Sequence, residues 1–156
     1  MTAAPIEVLL SGPVIAELSS TARAALPNET GGLLLGWWET NDEVDAVIVR
    51  HAIEVPDRRA TPVTWVRRPS TARTALSRAL TALKHPLLGY VGDWHSHPAP
   101  CAASGRDRQS VLRTSLQYEH PVLLLIGLPG NEIELTAAHA GEPRPARPHR
   151  PEGSPV

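Results

Sequence analysis

The sequence predicts an α/β fold in which strands and helices are interleaved along one domain. Three observations carry this. Residues 33–38 and 121–128 are short and almost wholly apolar, as buried strands are. Residues 13–26 and 70–83 are longer and repeat their apolar side chains at helical spacing. The two patterns alternate along the chain, which favours helices packed on a sheet, and 156 residues suit a single core.

Each element follows in turn. Residues 6–10 read as a first strand, and 13–26 as an amphipathic helix with Val14, Ile15, Leu18, Ala22, Ala25 and Leu26 on one stripe. Pro27 and Asn28 stop that helix. Glu29 comes next, ahead of Gly31 and Gly32, whose missing side chains let other backbone approach the strand at 33–38. A polar turn precedes a strand at 44–55 centred on Val47, Ile48 and Val49. Residues 57–68 set four arginines around Thr64, Trp65 and Val66, which reads as a short strand between loops. That stretch is either a solvated connection or an insertion that meets a partner beside a functional site.

Ser70 caps a helix reaching Leu83, with Ala72, Ala75, Leu76, Ala79, Leu80 and Leu83 on its apolar face. The apolar run 87–91 starts a strand that ends in His95, Ser96 and His97, and Pro98 and Pro100 terminate it. A helix at 108–118 turns Val111, Leu112 and Leu116 inward, the strand 121–128 follows, and Pro129, Gly130 and Asn131 turn the chain into a last strand at 132–138. The domain thus spans 1–140. Residues 141–156 hold five prolines and three arginines and read as a disordered tail.

The chemistry concentrates between Gly89 and Asp107. Strand side chains alternate, so His95 and His97 project from one face with Cα atoms roughly 6.5 to 7 Å apart, close enough to converge on one ion. Asp107 follows at a helix entrance. Two imidazoles and a carboxylate form a ligand set for catalytic zinc, which keeps its fourth place for water; they also suit non-haem iron(II). Ser104 and Asp107 read equally as a capping pair that satisfies free amides at a helix start. Asp93 lies two residues before His95 on the same face, as a partner for an imidazole, a solvated group or a rival ligand. Trp94 and Ser96 point the other way, into packing. Cys101 reads as a passive loop thiol, because no histidine is placed to activate it.

Glu29 in the setting ETGGLLLG, His95-Ser96-His97-Pro98, and Ser104-x-x-Asp107 together resemble the JAMM motif of the MPN-domain zinc metalloproteases, which are deubiquitinase-like isopeptidases. The likeness runs from about residue 6 to 140, and its three parts stand in the family's order. The loop from His97 to Asp107 is one residue shorter than the family's usual spacing. The resemblance implies a three-layer α+β arrangement of the MPN type, a mixed, curved sheet flanked by helices that is cytidine deaminase-like. It implies one zinc ion held by His95, His97 and Asp107, with Glu29 as general base and Ser104 stabilising the oxyanion. The implied substrate is a ubiquitin-like protein or its conjugates, cut after the Gly-Gly tail, which would be held as an added strand. A non-catalytic MPN scaffold is the rival reading, although scaffolds typically lose motif residues and all five stand here.

Composition removes other classes. The net charge of −1 lacks the basic excess of a nucleic-acid surface. A single cysteine precludes an internal disulfide and a four-thiolate site, in keeping with a reducing cytoplasm. No signal peptide or membrane span stands out, so the expectation is a soluble cytoplasmic protein, with the oligomeric state left open and a homodimer among the options. A zinc nucleobase deaminase would need a second cysteine after Pro100-Cys101, and an iron oxygenase a different order of ligands.

Overall fold

The fold is organised on a strand whose eight residues are nearly all buried, and a computed structural model describes it within residues 4–40 and 44–149. In chain order the elements are β1 (Ile6–Leu10), α1 (Gly12–Ala25), β2 (Gly31–Thr40), β3 (Asp45–Glu54), α2 (Pro69–Leu83), β4 (Gly89–Ser96), α3 (Gly105–Ser115), β5 (Val122–Gly127), β6 (Ile133–His139) and β7 (Glu142–Pro148). Strand β4 lies between β2, antiparallel, and β5, parallel. Parallel pairing needs a crossover, and α3 supplies it.

Alternation divides the apolar side chains between two cores. Leu34, Trp94, Leu123 and Leu125 pack with Val14 and Leu18 of α1, while Leu33, Leu35, Leu124 and Ile126 face Ala72 of α2 and Val111 of α3. A β-bulge sets the phase in β4: Leu34 pairs with Gly92 and Leu35 with Tyr90, leaving Val91 as the extra residue. Past the bulge Trp94 turns into the first core, and the odd-numbered Asp93, His95 and His97 turn to the opposite face. Gly92 is required there, because a Cβ would stand 2.3 Å from the Leu123 carbonyl oxygen.

Helices and strands thus interleave as expected, and the sheet is mixed, with parallel and antiparallel pairs; its closure was not part of the expectation. It closes into a barrel in the order β1-β3-β2-β4-β5-β6-β7. Closure comes from a segment expected to lack structure. The disordered tail from 141 is corrected over residues 142–148, where β7 pairs with β6 antiparallel and with β1 in parallel. Pro143 and Pro145 share one parity, so their missing N–H groups fall on the same side; residues 142–145 pair with β6 and residues 146–148 with β1. Arg144 bridges to Asp45 at 2.7 Å and Arg147 to Glu7 at 2.6 Å. The rest of the expected tail, 150–156, lies outside the described residues. The closed ring gives every one of the described strands two neighbours, with unpaired stretches only where strands outrun their partners, as Trp37–Thr40 outruns β4. No helix among the described residues is long and apolar enough to cross a membrane.

Candidate metal centre

The candidate site forms where β4 ends, and four separate segments supply it. β4 delivers His95 and His97, both buried and on one face. The His97 amide donates to the Gly127 carbonyl at the end of β5, at 2.8 Å, so the second histidine is held by the sheet although it lies past the strand's last residue. After Pro98 the loop is pinned by the Ala103 amide, which donates to Glu134 of β6 at 3.1 Å. It then enters α3 through a complete capping box. Asp107 N–H donates to Ser104 Oγ at 3.1 Å and Ser104 N–H donates to Asp107 Oδ2 at 2.8 Å. The capping and ligand readings of Ser104 and Asp107 are therefore compatible.

His95, His97 and Asp107 each place a ligand atom within 4.8 Å of the others. His95 Nε2 is 3.3 Å from Asp107 Oδ1, and His97 Nε2 is 3.5 Å from Asp107 Oδ2. Ligands about 2.0 to 2.1 Å from a tetrahedral zinc ion stand about 3.3 Å apart, which the two imidazole–carboxylate separations approach. The nitrogen of His95 adds a second observation. Buried Nε2 has no hydrogen bond of acceptable geometry, in spite of the nearby carboxylate, and an orphaned buried nitrogen is what a missing cation would explain. His97 is prepared from behind: its Nδ1 lies 2.8 Å from the Cys101 carbonyl oxygen. Donation there fixes the tautomer that leaves Nε2 free to bind metal.

Glu29 stands across from His97, with Oε1 3.7 Å from Nε2. Its place is set by Thr30, whose amide donates to Ser96 Oγ at 3.0 Å and whose carbonyl accepts the Ser96 amide at 2.8 Å. Ser96 thus ties the Glu29 segment to the histidine strand, a role beyond the packing its position suggested. Burial pushes the Glu29 carboxyl up, against the pull of both histidines. Asp107 shifts the other way: burial raises it, but His95 and Ser104 together hold it well below the usual carboxylate range. One carboxyl group is therefore suited to carry a proton and the other to remain an anion.

Asp93 is placed in neither role that would bring it to the ion. Its carboxylate accepts from the Tyr90 hydroxyl at 2.9 Å and lies 3.4 Å from Arg67, and burial pushes its pKa up. The stretch 57–68 does border the site, as a loop with one bridge, Thr61 to Thr64, in place of a short strand. Asp57, with its side chain only 2% exposed, accepts from the amides of Arg59 and Val66, both at 3.0 Å, and pairs with Arg68. Trp65 donates from Nε1 to the Val55 carbonyl at 3.0 Å, and its ring centroid is 6.0 Å from that of His95. Gly31 makes this possible, since a Cβ there would meet Trp65 at 2.8 Å. The Glu29 amide donates to the Thr61 carbonyl at 2.8 Å, so loop and carboxylate are fastened together. A local Asp-to-amide turn was legible at Asp57 and Arg59; the reach to Val66 was not.

Comparison with known proteins places these residues among relatives. The family described as prokaryotic homologs of the JAB domain matches residues 11–138. A protein of Enterobacter hormaechei subsp. hoffmannii named CD-NTase/cGAS isopeptidase is 31% identical over 126 residues, which span 77% of this chain and 67% of that protein. The solution structure of a Desulfitobacterium hafniense protein superposes with a TM-score of 0.61 at 21% identity, over 92% of this chain and 94% of that one, and is similar in fold.

Proposed function

Because this chain belongs to the prokaryotic homologs of the JAB domain, we propose that it is a zinc-dependent isopeptidase that cuts after the C-terminal tail of a ubiquitin-like protein or releases it from conjugates. A relative named for isopeptidase action supports the bond type. The observation that carries the reading is the meeting of His95, His97 and Asp107 within 4.8 Å, with His95 Nε2 unsatisfied and Glu29 opposite.

His95, His97 and Asp107 would hold one zinc ion, which supplies Lewis acidity and brings the pKa of a bound water from about 15.7 towards about 7. Everything else falls to the chain. Glu29 accepts the water's proton, and its raised pKa lets it keep that proton long enough to hand it to the leaving amine. Ser104 Oγ accepts from the Asp107 amide, so its own hydroxyl proton is free to donate to the oxyanion, a contact worth on the order of 3 kcal/mol. Trp65 stands beside His95, with ring centroids 6.0 Å apart, and restricts where that imidazole can turn.

The test is zinc content by elemental analysis, followed by hydrolysis of ubiquitin-like fusions cut after Gly-Gly. One zinc per chain and turnover are expected, with both abolished in His95→Ala and His97→Ala. Iron in its place would redirect the reading to oxygen chemistry. A protein without metal or turnover after zinc supplementation would be a scaffold.

A further inference from the structure

Three cavities border the candidate centre: one of about 400 Å³ against α1 touches only His97 of the three candidate ligands, and the other two are lined differently. The first of these two, of about 160 Å³, contains Glu29, His97 and Ser104. The second, of about 210 Å³, contains His95 and runs along α3 past Arg106, Ser110 and Arg113, with Arg67 on its far wall. Trp65, Arg106 and Asp107 border both, so the two cavities adjoin at the centre.

The charge in the second cavity is unbalanced. Arg67 is matched, 3.4 Å from Asp93 and over the Tyr90 ring at 5.7 Å. The side chains of Arg106 and Arg113 have no acidic or hydrogen-bonding partner among the described residues. Asp107 faces the two histidines and the capping amide, and so does not offset them. Two unmatched guanidinium groups therefore flank a cavity that adjoins the reacting centre.

The chemistry gives the two adjoining cavities a direction. A base that protonates the leaving amine must stand on the leaving-group side, and Glu29 lines only the first cavity. The acyl part of the substrate then extends into the second. We infer that this cavity receives the substrate's extended tail and selects acidic side chains at the third to sixth positions before the scissile bond, through Arg106 and Arg113. This rests on the isopeptidase reading of the same centre. The spacing is consistent: seven helical residues separate the two arginines by about 10 Å, the reach of about three residues of extended peptide. Paired carboxylates there gain charge-assisted hydrogen bonds, whereas basic side chains meet like charge.

The probes are product-type peptides of about eight residues ending in Gly-Gly, which cannot be cut, bound to the zinc-loaded protein. One carries Asp at the third and sixth positions from its end, the other Lys. The acidic peptide should bind about 10-fold tighter at low salt, as two partly exposed ion pairs allow, and the gap should close near about 1 M salt. Arg113→Glu, with zinc content and melting temperature checked against wild type, should abolish the difference, because one positive and one negative charge then face the peptide. Equal binding, no binding of either peptide, or an acidic preference retained in Arg113→Glu would overturn the inference. Turnover separates it from the underlying reading: efficient cleavage of basic-tailed fusions would sink the acidic tail and keep the isopeptidase, while acidic preference without any cleavage would do the reverse.

Discussion

His95 and His97 are two residues apart on one face, yet the protein holds them by different means. His97 is oriented by the Cys101 carbonyl, a backbone group, so the residue at 101 need not be cysteine. Cys101→Ala should therefore keep zinc content and turnover within about 2-fold of wild type, because the second partner of the imidazole is unchanged. A collapse of either would give the thiol, 3.5 Å from Nδ1, a part that the carbonyl does not explain. Glu29 supplies the contrasting case. Glu29→Gln preserves size and hydrogen bonding but not proton acceptance, so zinc should stay while cleavage falls by about 100-fold or more. Asp107→Asn should weaken both, since it would change a proposed ligand. An acid limb of the wild-type rate that vanishes in the variant would mark Glu29 as the base. Metal analysis and pH–rate profiles on the same preparations check all three. The histidines were legible because a strand's period of two is strict, and Asp107 because a Ser-x-x-Asp pattern follows them. The environment of Asp93 was not, because Arg67 meets it from a loop 26 residues away.

At the scale of elements, the helices and the first six strands were legible from apolar periodicity, to within a few residues at their ends. The loop 57–68 was not, because its order comes from one buried carboxylate and not from a pattern. Asp57 gathers the amides of Arg59 and Val66 and thereby sets Trp65 against His95. Asp57→Ala should release the loop, lowering stability by about 1 to 3 kcal/mol and raising KM more than it lowers kcat. The pH dependence has a definite sign. Burial raises the Asp57 carboxyl, but the two amides and Arg68 outweigh it, and its pKa lies below 3.8 in the folded protein. Its contribution is therefore complete above 3.8 and is lost as pH falls through the lowered value. Urea unfolding of wild type and variant at pH 7 and about pH 3 should show the gap between them narrowing in acid. A gap that is absent at pH 7 would mean that the loop is ordered by something else.

The barrel as a whole depends on the segment whose composition argued most strongly against structure. Composition predicts whether a stretch can bury apolar surface of its own; it does not reveal backbone donors offered to two strands that already have a core. β7 supplies such donors, pairing four residues with β6 and three with β1, and only Ala146 joins the apolar packing. Its arginines are its specific contribution, since Arg144 reaches Asp45 and the Ala4 carbonyl, and Arg147 reaches Glu7. Truncation after Gly141 should therefore destabilise the domain by on the order of 3 kcal/mol, as several net backbone hydrogen bonds and a partly buried ion pair are lost together. It should also uncover β1 and β6 as facing edges, so that the shortened protein associates at concentrations where the full chain does not. The candidate centre lies on β4 and α3, and β5 and β2 shield it from the break, so zinc should still bind to the fraction that remains folded. Urea unfolding and size-exclusion chromatography with zinc analysis decide it. A truncated chain that melts with wild type and elutes at the same volume would show that the ring closes without β7, and that residues 142–148 only rest on its surface.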